Sequence, residues 1–485
     1  WATKLVDRDN INDDSWYYNL HNVLNKKKIT RNNINYFKLI FKLFKKFVKS
    51  LIFNLYVKIF FKKDANIKEI ENCFFSFGID LVTHKKYFID RQYGKISFKN
   101  RKKNAYLISL NEDLFFIKKI ITFKNNLKKT PCKYFFLDHY ISFAEIIKIY
   151  FFTLVKFFQV FSLLNKKSYY NIVGKNCSYP LKKELVDSFF GGIQNSLING
   201  ISTGNFLKNF HCKNFISYLE FYPLARCIYY FAKINNKKTN LISINHANYS
   251  SDNLFFNIRK NEFTGKNLNM KSPRPDIFFC QGEKYSKILK KIFGRKTVHV
   301  VGSLKIELSP YAKSKNIIKP FETRNISKNK KIITVFTSLN DYKSFVKILN
   351  DQNLSNYVVL LKPHPLKISK TFDYFRKHLK HEFIIPKKIE GRDLLNFSNF
   401  IIFGDTSIGL EAAIKNKNVF RIFHRDFIPT FNRDKEIPTA TNSKEFTTLI
   451  KKKKILQKSA KIEKDYFFKY DVLASKRFLN YLRKV

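Results

Sequence analysis

The chain has 485 residues, with 91 Lys and Arg against 37 Asp and Glu, a formal net charge of +54. Hydrophobic residues make up 45% and aromatic residues 17%, which excludes an intrinsically disordered chain. Its 14 Gly and 12 Pro exclude collagen-like and low-complexity architectures.

A nucleic-acid footprint concentrates Lys and Arg on one tail, helix or stripe. Here lysine is spread over nearly every segment among Asn, Ile and Phe, which is how an AT-rich genome writes any protein. The bulk charge reads as compositional background; the partners it would otherwise suit are an anionic membrane surface and nucleic acid. Cys73, Cys132, Cys177, Cys212, Cys227 and Cys280 form no CxxC pair, which speaks against a zinc cluster or a disulfide framework and suits a reducing compartment. No secretory signal is visible, so the expectation is a cytoplasmic protein with the option of sitting peripherally on the inner face of the plasma membrane.

Residues 1–70 read as an N-terminal extension. Within it, residues 36–62 carry Lys38, Lys42, Lys45, Lys46, Lys49, Lys58 and Lys62, several of them at helical steps that leave one face apolar. That is the pattern of a basic interfacial helix, and equally of an amphipathic helix packed on its own domain. Residues 144–164 have the length of a membrane span, but Glu145, Lys148 and Lys156 interrupt it; a buried core helix is expected, with no transmembrane span. Strand patterns at 73–79, 105–110, 133–137, 214–219, 240–244, 276–281 and 298–302 alternate with helical ones and predict an α/β domain over residues 71–307. Residues 308–330, broken by Pro310 and Pro320, read as a linker.

The second half alternates more cleanly. Strands are predicted at 331–338, 357–362, 382–386, 399–403 and 418–423, with helices at 341–349, 370–379, 391–397 and 408–415. Continuous apolar strands separated by short helices are βαβ units of a parallel sheet covered on both faces. The reading is a Rossmann-like domain over residues 331–458, with ligands at the carboxyl ends of its strands. The amphipathic tail, residues 459–485, is expected to cross back onto the first domain.

Two motifs end predicted strands. In LLKPHP (360–365), Pro363 and Pro365 stop the strand and stiffen the turn, holding Lys362 and His364 at its edge, where a point charge and an imidazole suit a phosphate. In FGDTSIGLEAA (403–413), Gly404 permits a tight turn, while Thr406 and Ser407 open a helix with Glu411 one turn deeper on the same face. Such a helix start suits a phosphate and the carboxylate a ribose; plain helix capping is the alternative. His246 follows the strand NLISI and is the best acid–base candidate, with Glu220 to orient it or replace it; a turn-capping histidine is the alternative. Arg421, at the end of strand 418–423, is a further cation for a donor phosphate, while Gly302 and Ser303 would let the backbone approach the donor. The remaining histidines show no metal-ligand spacing, and there is no Walker A or GxGxxG sequence.

Together these motifs resemble the C-terminal donor domain of GT-B glycosyltransferases, most nearly the bacterial surface carbohydrate biosynthesis family and more distantly polysialyltransferases and CDP-glycerol transferases. Lys362–Pro365 matches that family's K-P-H-P loop, and Thr406, Ser407 and Glu411 match its T/S-S-x-x-x-E helix start. Upstream, VVGSLK (300–305), LEFYPLAR (219–226) and INHAN (244–248) resemble further family elements, although Asn245 stands where Gln is usual. The resemblance implies a GT-B-like α/β fold of two Rossmann-like domains with a cleft between them. It implies a nucleotide-sugar donor, CMP- or CDP-linked among the options, a glycan or lipid-linked acceptor, and no metal or other cofactor. In that setting His364, Thr406 and Ser407 would bind the donor phosphate and Glu411 its ribose. Competing readings are a nucleotide-sugar 2-epimerase of the same fold and a basic nucleic-acid-binding protein.

Overall fold

The computed structural model describes residues 36–61, 69–96, 103–110, 117–163, 171–172, 175–176, 178–218, 221–246, 261–264, 272–308, 330–337, 342–364, 368–385, 391–404, 406–415, 418–422, 437–451, 460–471 and 473–483. Glu220, Pro365 and most of the linker read over 308–330 lie outside the described residues. Contacts divide the described chain into two compact units: one from Trp1–His246, Leu254–Phe279 and Ile292–His299, the other from Cys280–Lys291 and Val300–Val485.

The first unit supplies strands β1 (Glu69–Phe77), β2 (Leu81–His84), β3 (Tyr87–Asp90), β4 (Asn104–Ser109), β5 (Lys133–Phe136), β6 (Asn171–Ile172), β7 (Lys175–Asn176), β8 (His211–Ser217), β9 (Asn240–Ile244), β10 (Ile277–Cys280) and β11 (Val298–Val300). Its helices are α1 (Tyr36–Phe60), α2 (Ile117–Leu127), α3 (Phe143–Leu163), α4 (Ser178–Gly191), α5 (Ile193–Asn209) and α6 (Pro223–Asn235); α7 (Glu283–Phe293) follows β10. Among the described residues, seven strands form one sheet in the order β11-β10-β9-β8-β1-β4-β5. Hairpins β2–β3 and β6–β7 stand apart from it. Counting only the sheet's strands, the order is 3-2-1-4-5-6-7 from the β5 edge, a doubly wound sheet whose order reverses between β1 and β8. All six residues of β4 (NAYLIS) are buried, as a central parallel strand covered on both faces requires.

A row of asparagines crosses this sheet. Asn240, Asn214, Asn72 and Asn104 are register partners on β9, β8, β1 and β4. Asn240 donates to Asn214 at 3.1 Å, Asn214 to Asn72 at 3.0 Å, and Asn72 to Asn104 at 3.0 Å, each through its side-chain amide. Asn214, Asn72 and Asn104 are buried, and each hydrogen bond there contributes about 1 kcal/mol net.

The second unit carries β12 (Lys331–Phe336), β13 (Tyr357–Lys362), β14 (Phe383–Ile384), β15 (Phe400–Phe403), β16 (Asn418–Ile422) and β17 (Thr439–Ala440). Its helices are α8 (Tyr342–Asn350), α9 (Ile368–His378), α10 (Gly391–Phe397), α11 (Ile408–Ile414), α12 (Ser443–Lys451) and α13 (Ala474–Leu482). Among the described residues these strands form one parallel sheet in the order β14-β13-β12-β15-β16-β17, again 3-2-1-4-5-6. Side chains alternate between two cores. Leu360, Ile401 and Val419 pack on one face with Leu394 and Leu410, while Val359, Ile402 and Phe420 pack on the other with Phe345 and Phe446. The fold class is therefore α/β, with two Rossmann-like sheets.

One expectation changes. Helix α3, expected as a buried core helix, buries one side only; Phe143, Ile147, Phe151, Phe152, Val155 and Phe158 are exposed. Its mean composition is that of a core helix, but the unit fills a single face of it. The contact division also crosses the segment between 280 and 307. Cys280–Lys291 and the segment from Val300 cluster with the second unit, held by the C-terminal residues. Arg477 Nε donates to the Val301 carbonyl at 2.7 Å, and the Ser475 N–H donates to Glu307 Oε1 at 2.7 Å. A Cβ on Gly282 would fall 2.2 Å from the Asp465 carbonyl oxygen, so only glycine admits that close pass.

Candidate active site

The order of the second sheet reverses between β12 and β15, and ligands of doubly wound sheets bind outside the carboxyl ends at such a point. Register places Lys362, Phe336, Phe403 and Arg421 in one row across β13, β12, β15 and β16. At about 4.8 Å per strand, the backbones at Lys362 and Phe403 lie roughly 10 Å apart, one on each side of the end of β12. Pro363 is buried behind Lys362, and Lys362 and His364 are half-buried at the rim. Beyond Phe403, the Gly404 N–H donates to the Phe336 carbonyl at 3.2 Å, and the Thr406 N–H donates to the Gly404 carbonyl at 3.0 Å, which turns the chain sharply into α11. A Cβ on Gly409 would fall 2.1 Å from the Phe403 ring, so this glycine lets the helix start cross the strand end. Ser407 is in the helical region and its hydroxyl makes no capping hydrogen bond. Thr406 and Ser407 are half-buried beside this turn.

Between the two motifs, at the end of β12, stands a residue that sequence reasoning passed over. Thr337 is 2% exposed, and its Oγ1 has no hydrogen-bond partner among the described residues. An orphaned buried hydroxyl costs about 1–3 kcal/mol, so its place at the switch point suits a ligand oxygen. Its only sequence signal was the polar end of an apolar strand.

The other expected donor contacts are placed differently. Glu411 is 3% exposed and accepts from Arg392 Nε at 2.7 Å, Arg392 Nη2 at 3.1 Å and the Tyr470 hydroxyl at 2.8 Å. The carboxylate read as a ribose contact thus already clamps α10, α11 and the C-terminal segment together. Arg421 is buried on β16 with Nε donating to Thr439 Oγ1 at 3.1 Å, three strands from Lys362. Gly302 has a φ of +93°, and a Cβ there would fall 2.7 Å from Arg477 Nη2. The close approach that Gly302 permits in this structure is that of the Arg477 guanidinium. Ser303 is 1% exposed with Oγ unpartnered among the described residues.

In the first unit, His246 follows β9, half-buried, its ring 5.4 Å from that of Tyr218. Tyr218 follows β8 at that sheet's own switch point and donates to Asp80 Oδ2 at 2.6 Å. Asp80 also pairs with Arg91 at 2.9 Å, while the fully buried Asp90 accepts from Ser76 Oγ at 2.6 Å and from the Gln92 N–H at 2.7 Å. Burial, reinforced by the charge of Asp80, pushes the Asp90 carboxyl well above the usual range. Burial likewise raises the Tyr218 phenol. Asp80, Asp90 and Tyr218 were not legible in the sequence, because Tyr218 comes from a distant strand. Arg226 is held by the Phe221 carbonyl at 3.2 Å, by the Ser272 hydroxyl and, at 3.9 Å, by Glu262; burial lowers its pKa.

No protein-family model matches the chain, and no curated protein matches it in sequence. Among solved structures it is similar to a UDP-GlcNAc 2-epimerase from Neisseria meningitidis bound to UDP-GlcNAc, at 14% identity over 85% of this chain and 100% of that chain, with a TM-score of 0.47. It is also similar to an S. aureus MnaA–UDP co-structure, at 13% identity over 85% of this chain and 96% of that chain, with a TM-score of 0.45. The wall teichoic acid polymerase TagF is a third, at 14% identity over 92% of this chain and 97% of that chain, with a TM-score of 0.44.

Proposed function

We propose that the chain is a GT-B-type glycosyltransferase that moves a sugar from a nucleotide-activated donor to a surface-polysaccharide or lipid-linked acceptor. The observation that carries this reading is the carboxyl edge of the second sheet. Lys362 and His364 stand on one side of β12, Thr406 and Ser407 on the other, and the Thr337 hydroxyl, unpartnered among the described residues, lies between them. A cation, an imidazole and three hydroxyls around one strand end form a phosphate site that needs no metal. His246 is assigned the acid–base role, taking the acceptor hydroxyl proton as the glycosidic bond forms, with Tyr218 and Asp80 fixing its setting.

Thermal-shift titration with CMP, CDP, UDP and GDP tests the donor site. A nucleotide at about 100 times its Kd should stabilise the fold by about 2.7 kcal/mol. His364→Ala should weaken binding of the preferred nucleotide at least tenfold while leaving the ligand-free melting point within about 2 °C. No shift with any of the four nucleotides would remove the reading. The same phosphate edge would serve a nucleotide-sugar 2-epimerase, because it says nothing of an acceptor. Incubation with UDP-N-acetylglucosamine alone separates the two, since an epimer formed without acceptor would exclude the transferase.

A further inference from the structure

Large exposed apolar side chains are concentrated on two touching helices of the first unit, α1 and α3. On α1, Phe37, Phe41, Phe44, Ile52, Leu55 and Ile59 recur at helical steps and form one stripe; Phe37 is 83% exposed and Ile59 66%. The packed side of the same helix lies opposite, where Leu43, Phe53 and Val57 are buried. Helix α3 repeats the arrangement. Ile146, Ile149 and Phe157 join Leu43 in the core, while Phe143, Ile147, Phe151 and Phe158 stay bare, Phe151 at 69% exposure.

The helices run antiparallel. Ser50 Oγ lies 2.8 Å from the Tyr150 hydroxyl, and Lys58 Nζ donates to the Ile141 carbonyl at 2.7 Å while standing 4.9 Å above the Phe143 ring. Going round each helix from its partner to its bare stripe, helical phase puts both stripes on the side away from the unit's core. The stripe on α1 alone is roughly 33 Å long, so the shared face is large for a chain that meets only water.

Charge selects what covers it. Helix α1 contains no acidic residue, and the exposed Lys38, Lys42, Lys45 and Lys49 line its stripe about a quarter turn away. On α3, Lys148 and Lys156 are exposed, and the single acid, Glu145, is occupied by the Ser142 N–H and hydroxyl and by Asn205. Among the described residues no helix is long and apolar enough to cross a membrane. Phenylalanines flanked by lysines, with no acid left over, complement acyl chains beneath anionic headgroups.

We propose that α1 and α3 together form a docking face for an anionic bilayer surface, the aromatic stripe entering the acyl boundary and the lysines meeting lipid phosphates. This inference does not depend on the reaction proposed above. It is tested by flotation of the full chain with vesicles of pure phosphatidylcholine and of phosphatidylcholine containing phosphatidylglycerol. Binding should be at least tenfold tighter to the anionic vesicles and should fall as salt is raised from 0.1 to 0.5 M, about the range over which surface charge is screened. Phe41→Glu/Phe151→Glu should lose at least tenfold in affinity, as should the milder Phe44→Ser/Phe158→Ser. Lys38→Gln/Lys42→Gln/Lys45→Gln should lose about fivefold per lysine, and only on anionic vesicles. All these side chains are exposed, so circular dichroism and melting points should match the wild type. Vesicle binding unchanged in both aromatic variants would overturn the proposal. So would a wild-type dimer that ignores vesicles and becomes monomeric in Phe41→Glu/Phe151→Glu, which would assign the face to a second copy.

Discussion

Replacing Glu411 by Gln decides whether this carboxylate clamps the second unit or faces a ligand. It is 3% exposed, meets the Arg392 guanidinium at 2.7 and 3.1 Å and accepts the Tyr470 hydroxyl at 2.8 Å. Glutamine keeps the shape and one acceptor oxygen but removes the charge and places an amide against the guanidinium, which is itself only 15% exposed. Breaking one partner of a buried pair costs about 3–5 kcal/mol, and the retained acceptor puts Glu411→Gln near the lower end, about 3 kcal/mol. In a unit of roughly 200 residues that lowers the melting point by about 6–12 °C. Calorimetry without nucleotide reads this directly. Arg392→Met/Glu411→Leu should recover most of the loss, because no buried charge is left alone. If Glu411→Gln melts like the wild type and instead loses nucleotide affinity tenfold or more, the clamp reasoning is refuted and the carboxylate belongs to the donor site.

Three further outcomes are expected. His246→Ala should lower kcat by about 10²–10⁴-fold with the nucleotide Kd within about twofold of wild type; equal losses in both would remove the acid–base role. Gly302→Ala combines a φ of +93° with a Cβ placed 2.7 Å from Arg477 Nη2, so denaturant unfolding should show at least about 2 kcal/mol of destabilisation. Burial pushes the Asp138 carboxyl up to about 6. Its folded pKa lies above the unfolded value of about 3.9, so the native state holds the proton longer, and the stability this lends is complete below pH 3.9 and lost as pH rises to about 6. The loss is at most about 3 kcal/mol, and Asp138→Asn should be free of it. Urea unfolding at pH 4, 5, 6 and 7 should therefore show the variant gaining on the wild type across that window, and a constant difference would exclude this carboxyl as the cause.

Much of the second unit was legible because its strands are continuous apolar runs, two of them closed by Pro363 and Gly404. Lys331–Phe336, Tyr357–Lys362 and Phe400–Phe403 fall where periodicity put them, and so does the turn at Gly404. The strand order was not legible, since local pattern says which segments are strands and not which are neighbours. For the same reason Thr337 could not be placed between the two motifs, and Arg392 could not be paired with Glu411. In α3 the mean composition concealed a division into a packed side and a bare one. The Asp80–Tyr218 contact joins residues 138 positions apart, a distance that no helical or strand spacing encodes.

The asparagine row across the first sheet has a consequence for how the chain folds. Side chains alternate along a strand, so slipping any one of β1, β4 or β8 by a single residue would turn its amide to the opposite face. Each slip strands a buried donor and acceptor, at about 1–3 kcal/mol for every group left unmet. Parallel sheets assemble slowly from distant segments, and this one must order strands as far apart in sequence as Asn72 and Asn214. In a chain this rich in interchangeable Phe and Ile, apolar burial alone rewards many misaligned pairings almost equally. The four amides work like the notches of a key, leaving each mispaired register less stable than the native one.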